Sequence, residues 1–196
     1  MRRQKIWGPV VLLLVSGLLA GCGTSGEEKG LTATMNMQEA AEHADDMLGA
    51  TLDVIEPEVQ WAHGQTSSSN CEVTRRRTVM TVISEQRRGN FLGLVEKFWK
   101  KSGYEIYSVN PSKEFPAIFA RTSEEFSITL TVGDKGQVFF EVDTPCVDES
   151  EVAPSTVEPN GPAYEGVALP RPNVRSDFWS AETPAASPSP WAGTSS

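Results

Sequence analysis

Apolar residues change their spacing several times along this chain, and each change marks an element. From Met37 they recur at steps of three and four, through Ala40, Ala41, Ala44, Met47, Leu48, Leu52 and Ile55. That spacing puts them on one face of an amphipathic helix. Asn36, with Glu39 three positions on, has the form of a capping box, and Pro57 closes the segment. A short strand is expected within residues 58–63 around Val59 and Trp61, followed by a polar loop from Gly64 to Asn70. Over residues 71–84 the period becomes two. Val73, Val79, Thr81 and Ile83 then share one side of a long strand, and Thr74, Arg76, Thr78, Met80 and Val82 share the other.

Helical spacing returns from Ser84 or Glu85 to Lys101, with Phe91, Leu94, Val95, Phe98 and Trp99 on the buried face. Lys100 and Lys101 suit the negative end of the helix dipole, and Gly103 supplies the stop. Strands are expected over residues 104–110, 117–122, 126–132 and 137–143. The last two should form a hairpin around Gly133-Asp134-Lys135-Gly136, because Phe126, Ile128, Leu130 and Val132 alternate with Ser127, Thr129 and Thr131. The order α-β-β-α-β-β-β, with room for one more short strand, gives an α+β fold. Its expected form is a two-layer sandwich, an antiparallel sheet with two helices on one face, spanning residues 36–147. Residues 148–196 hold eight of the thirteen prolines, an excess of acids and no apolar period. By composition they are a disordered Pro/Ala/Ser-rich acidic tail.

The first 21 residues read differently. Arg2, Arg3 and Lys5 precede an apolar run from Ile6 to Leu19, which ends in small residues, the layout of a secretory signal. The run is shorter than the roughly 20 residues needed to span a bilayer, so no permanent membrane helix is expected. Leu19-Ala20-Gly21-Cys22 resembles the lipobox of bacterial lipoproteins. The resemblance implies cleavage before Cys22, a diacylglyceryl group on its sulfur, and anchoring at the outer face of the cytoplasmic membrane. Residues 22–35 then read as a flexible tether.

Four stretches of the folded part resemble a set of small secreted lipoproteins of actinomycete bacteria. They are Val82-Ile83-Ser84-Glu85-Gln86-Arg87-Arg88, Lys101-Ser102-Gly103-Tyr104, Val132-Gly133-Asp134-Lys135-Gly136-Gln137-Val138 and Thr144-Pro145-Cys146-Val147. The resemblance implies no activity and no catalytic residues.

Charge narrows the partners. The chain carries 17 basic against 26 acidic side chains, a net −9. Loss of Arg2, Arg3 and Lys5 with the signal leaves 14 against 26, a net −12. An acidic surface argues against nucleic acid, which needs a basic face. With Cys22 lipidated, Cys71 and Cys146 remain. Two thiols outside the cytoplasm point to a disulfide; two buried free thiols are the other reading.

Candidate chemistry is sparse. Arg75, Arg76, Arg77, Arg87 and Arg88 are the basic concentrations of the domain. If strand and helix bring them together, they make a patch for an acidic wall ligand with bidentate guanidinium contacts. Otherwise they lie on the solvent side, paired with Glu72, Glu85 or other acids. His43 and His63 have no further ligands clustered with them, so neither a metal nor a cofactor is expected. Adjacent acids such as Asp45-Asp46 and Glu124-Glu125 read as turns and exposed helix faces. No nucleophile motif is present, and an enzyme is not the expectation. In the tail, Tyr164, Phe178, Trp179 and Trp191 either anchor a partner by folding on contact or carry no role. These readings converge on a membrane-anchored binding or accessory module that meets an envelope protein or wall ligand. The alternative is an assembly factor acting through its tail, and an envelope enzyme ranks third.

Overall fold

The computed structural model describes residues 35–162, 164 and 168–182. The signal segment, Cys22, the tether up to residue 34 and Trp191 lie outside the described residues. The order is α1 (Met37–Asp53), β1 (Trp61–His63), β2 (Ser67–Ser69), β3 (Glu72–Val79), α2 (Glu85–Lys101), β4 (Glu105–Asn110), β5 (Ala117–Arg121), β6 (Ser127–Val132) and β7 (Val138–Asp143). All seven strands join one antiparallel sheet in the order β1-β3-β7-β6-β5-β4, and β2 pairs with the other end of β3's outer edge.

Both helices lie on one face of this sheet, as the α+β sandwich requires. The capping box forms: Glu39 N donates to Asn36 Oδ1 at 3.0 Å, and Asn36 N donates to Glu39 Oε2 at 2.9 Å. Two backbone donors that the first turn would leave unpaired are thus satisfied. Ala40, Ala41, Ala44 and Leu48 of α1 bring that helix close to the sheet, while Phe91, Val95 and Trp99 fill the space under α2. Their partners are Ile128, Leu130 and Val132 of β6 and Val138, Phe140 and Val142 of β7, all buried. Trp99 Nε1 donates to Thr51 Oγ1 at 3.0 Å, so the two helices share a buried polar contact as well as apolar area. The β6–β7 hairpin has Val132 opposite Val138. Its turn carries Lys135 and Gly136 at φ 54° and 77°, the left-handed region that a tight reversal uses.

Three expectations need correction. The polar loop over 64–70 contains a strand, β2, whose three serines pair with Glu72–Thr74. Gly64 makes the approach possible, because a Cβ there would lie 2.7 Å from Arg76 Cβ. The long strand over 71–84 stops at Val79, opposite the first residue of β7, so no sheet partner remains for Met80–Val82. Those residues pair instead with the C-terminal chain: Asn173 N and Val174 N each donate to Met80 O at 3.0 Å, and Val82 N donates to Val174 O at 2.8 Å.

The third correction concerns the tail. Residues 148–162 and 168–182, expected to be disordered, form an irregular arm bound to the domain. Met37 N donates to Asp148 O and Asp148 N donates to Met35 O, at 3.0 and 3.2 Å. Farther on, Trp61 N donates to Asn160 Oδ1 and Gly161 N donates to Trp61 O, covering the free edge of β1. The arm ends on Trp179, 1% exposed, whose ring meets Phe91 edge to face with centroids 5.3 Å apart and whose Nε1 donates to Pro57 O. Composition missed this because two neighbouring aromatics, Phe178 and Trp179, and scattered single hydrogen bonds hold the arm, not a periodic apolar face. Residues 183–196 lie outside the described residues.

Cys71 and Cys146 are bonded, 75 positions apart, joining the start of β3 to the end of β7. Val147 N donates to Cys71 O beside the link. Constraint of the unfolded chain by such a loop gives a typical stabilisation of about 2–4 kcal/mol. Reduction should therefore lower the unfolding free energy by that amount and shift the urea midpoint down accordingly. An unchanged midpoint would show that the link adds nothing to the packed corner. A weaker clasp sits at the opposite end, where Arg171 Nη1 donates to Asp134 Oδ2 at 2.7 Å. That hydrogen bond, with the cation's charge, holds the Asp134 carboxyl below its ordinary value. The clasp is then present above the ordinary carboxylate range and lost as pH falls through the lowered folded value. Amide exchange around residues 170–174 should quicken only at that acid extreme, and Asp134→Asn should remove the dependence.

Candidate functional site

The five arginines are not one patch. Arg75 and Arg77 alternate with Val73 and Val79 on the helix-facing side of β3, at 2% and 1% exposure. Arg75 Nε lies 3.3 Å from Asp45 Oδ2, and its Nη atoms donate to Thr66 Oγ1 and Ala153 O, each at 2.8 Å. Arg77 Nη2 donates to the Asp45 carbonyl at 3.0 Å and lies 3.6 Å from Asp45 Oδ1, while its guanidinium stacks over Trp61 at 4.2 Å. Burial holds the Arg77 pKa below its ordinary value, and Asp45 opposes that shift. Arg76 points to the opposite face and pairs with Glu141. Arg87 is buried with its guanidinium 4.2 Å from the Phe178 ring. Arg88 lines a surface groove beside α2. The arginine patch is thus replaced by a buried ion cluster and three separate contacts.

Asp45 corrects a second expectation, since it is buried and not on an exposed helix face. Its position was legible: it follows Ala41 by four and precedes Leu48 by three, inside the apolar stripe. His43 packs edge to face on Phe126 with centroids 4.6 Å apart. His63 Nε2 lies 2.7 Å from Val157 O; a carbonyl only accepts, so that nitrogen carries the proton. Among the described residues no three His, Cys, Asp or Glu side chains gather as metal ligands, and no helix is long and apolar enough to cross a membrane. Phe178 and Trp179 are spent on holding the arm, and the Tyr164 hydroxyl donates to Asn173 Oδ1 at 3.0 Å.

The residues that sequence reasoning missed lie between α2 and β4. The sheet has two edges. The arm covers β1, but β4 is the last strand on its side and, among the described residues, has no partner beyond β5. Tyr107 and Val109 of β4 are 49% and 51% exposed, and Phe115 nearby is exposed too. Beside this edge is a groove of about 430 Å³, walled by α2 on one side and by the end of β4 with the loop over 111–116 on the other. Asn110 and Ser112 brace the loop: Asn110 Nδ2 donates to Phe115 O at 2.9 Å, and Phe115 N donates to Ser112 Oγ at 3.1 Å. These are side-chain turns that hold irregular backbone in one form.

The helix wall contains Gly89 and Gly93, one turn apart, and a Cβ at either would meet nothing within 4 Å. Glycine inside a helix costs about 1 kcal/mol relative to alanine, and nothing packed here requires it. Leu92, Val109, Pro111, Pro116 and Ile118 supply apolar lining. The charges cancel, with Arg88 and Lys113 against Glu85 and Glu96, and Glu96 already pairs with Lys100. The groove offers apolar contact, close backbone approach and an unpaired strand edge. A larger hollow of about 800 Å³ lies between the His63 end of β1 and the arm, lined among the described residues by Gly64, Val157, Pro159, Tyr164 and Leu169.

No protein-family model and no curated protein matches the chain. Among solved structures it is similar to a crystal structure of a DUF4853 family protein from the actinomycete Actinomyces odontolyticus ATCC 17982. Identity is 9%, over 74% of this chain and 78% of that one, with a TM-score of 0.31. A likeness of that strength assigns no family and no function to this chain.

Proposed function

We propose that the chain is a lipid-anchored binding module at the outer face of the cytoplasmic membrane, and that it takes an extended, uncharged segment of an envelope protein into the α2–β4 groove. The observation that carries this reading is the uncovered β4 edge beside a glycine-walled apolar groove. An extended segment laid there gains main-chain hydrogen bonds from the strand and apolar contact from the groove, which is recognition by strand addition. Cancelled rim charges favour a neutral segment over an acidic or a basic one. The Cys71–Cys146 bond supports an oxidising compartment, and the lipobox supports the anchor. Separation of Arg75 and Arg77 from Arg76 removes the geometric basis for a wall-anion site on β3. Attachment of residues 148–162 and 168–182 to the domain weighs against the assembly-through-tail alternative for those stretches.

A photo-reactive side chain at Val109 in intact cells tests the docking. It should crosslink to a protein that the same group at Thr129, on the helix-free sheet face, does not capture. Equal capture from both positions, or none from Val109, would sink the groove as the site. Cys22→Ser should separately release the protein from the membrane fraction or leave it unprocessed.

A further inference from the structure

We propose that the start of α2 is a phosphate-binding site, in which Arg87 and Arg175 grip a phosphate group over the unsatisfied N–H groups of the first turn. Arg75, Arg76, Arg77, Arg121 and Arg171 each meet a carboxylate. Among the described residues the other arginines, Arg87, Arg88 and Arg175, meet none. All three lie where α2 begins and the arm ends. In a chain of net charge −9, arginines left without acids in one place mark a site for an anion from outside.

Arg87 carries most of the case. It is 5% exposed, donates to no described residue, and has its Nε sealed without a partner. What faces it is a ring, with its Cζ 4.2 Å from the Phe178 centroid. Taking a guanidinium out of water without acceptors is costly. The ring offsets part of that cost, but Nη1 and Nη2, which are not sealed, still lack oxygen acceptors among the described residues.

The arm fixes where this guanidinium stands. Side chains lean toward the amino end of a helix, and Phe178 precedes Trp179, whose carbonyl accepts from Ser84 N at 2.9 Å. Arg87 is thus aimed at the N-cap. Ser84 leaves that end open, because its Oγ donates to Ala181 O and caps nothing. Arg87 N and Arg88 N both donate to Ser84 O, at 3.0 and 3.1 Å. Glu85 N and Gln86 N are the first-turn donors left over. Arg175 approaches from the arm, where its Nη2 donates to Ser180 O at 3.5 Å. So long a bond yields readily to a closer, charged acceptor.

The donors define the ligand. Guanidinium forks and helix-end N–H groups together suit a tetrahedral oxyanion. Glu85, Asp177 and Glu182 lie in the same turns and pair with none of these arginines among the described residues, so phosphate displaces no carboxylate. The free ion and the headgroup of an anionic phospholipid carry the same group.

The test titrates the full chain with inorganic phosphate at constant ionic strength, by calorimetry and by thermal unfolding. One phosphate should bind per chain and raise the thermal midpoint by about 2–4 °C over a chloride control. Arg87→Lys, which keeps the charge and loses the fork, and Arg175→Gln should each weaken binding about tenfold. Arg121→Gln, in the exposed pair with Glu105, should not. A purely structural Arg87 gives the reverse pattern, a lower midpoint with an unchanged titration. That pattern, or no phosphate-specific shift in the unmodified chain, overturns the proposal. Vesicles of phosphatidylglycerol, offered to the chain carrying Cys22→Ser so that no acyl group anchors it, identify the source. Retention that inorganic phosphate competes away assigns the site to a headgroup, and phosphate binding without retention assigns it to the free ion.

Discussion

Truncation after Val147 leaves a chain that no longer unfolds cooperatively, although every helix and strand of the sandwich is still encoded. The cut removes Trp179 from its contact with Phe91 and leaves a hole under α2 where 1% of that residue was exposed. Removing an aromatic of this size from a packed site costs about 3–5 kcal/mol. The cut also strips β1 of its edge partner at Asn160 and Gly161, and leaves Met80 and Val82 without the bonds to Asn173 and Val174. Arg75, buried at 2% exposure, loses the Ala153 carbonyl that accepts from Nη2. Against a native stability of about 5–15 kcal/mol, these losses together leave little or none. Trp179→Ala in the full chain isolates the largest piece and should lower stability by about 3–5 kcal/mol in urea. A truncated protein with a sharp transition near the full-length midpoint would show that the arm is an ornament on an independent domain.

Asp45→Asn is expected to cost about 3–5 kcal/mol, the usual penalty for removing one member of a buried ion pair. The cluster is already unbalanced, with one carboxylate facing two guanidiniums. Among the described residues Arg75 Nε and Arg77 Nε have no hydrogen-bond partner, and Asp45 is the carboxylate in contact with both cations, while Asp53 and Asp46 act on Arg77 by charge alone. With an amide at 45, two buried cations remain, served only by Thr66, two carbonyls and the Trp61 ring. Arg77 keeps its proton near neutral pH even though burial holds it below its ordinary value. Replacing all three residues with apolar ones of similar volume should cost less than the single change, because no charge is then left to desolvate. Equilibrium unfolding of the single and triple variants measures both. A loss below about 1 kcal/mol for Asp45→Asn would mean that water reaches the cluster.

Much of the fold was legible because its elements repeat. The three-and-four spacing from Met37, the alternation from Phe126 to Val142 and the Asn36–Glu39 cap each record a local rule that the structure obeys. The cysteine pair followed from counting. What escaped notice lacked a local record. Arg75 and Arg77 look like solvent-side charges until Asp45, thirty positions earlier, is placed against them. The arm has no period because Trp179, Asn160 and Asn173 each act alone, at points chosen by the surface they meet. The groove escaped for another reason: Gly89 and Gly93 look like weaknesses in a helix, and only the structure shows open space beside them among the described residues.

The stitch between Met35 and Asp148 has a mechanical consequence. A pull from the amino-terminal side reaches the domain at Met35, whose neighbour Met37 shares bonds with Asp148, two residues past the Cys146 bridge. The load therefore passes at once to a covalent staple across the neighbouring strands β3 and β7. Force arriving there shears several bonds together instead of peeling them singly, so a protein tugged at that corner should hold until the arm's hydrogen bonds yield as a group.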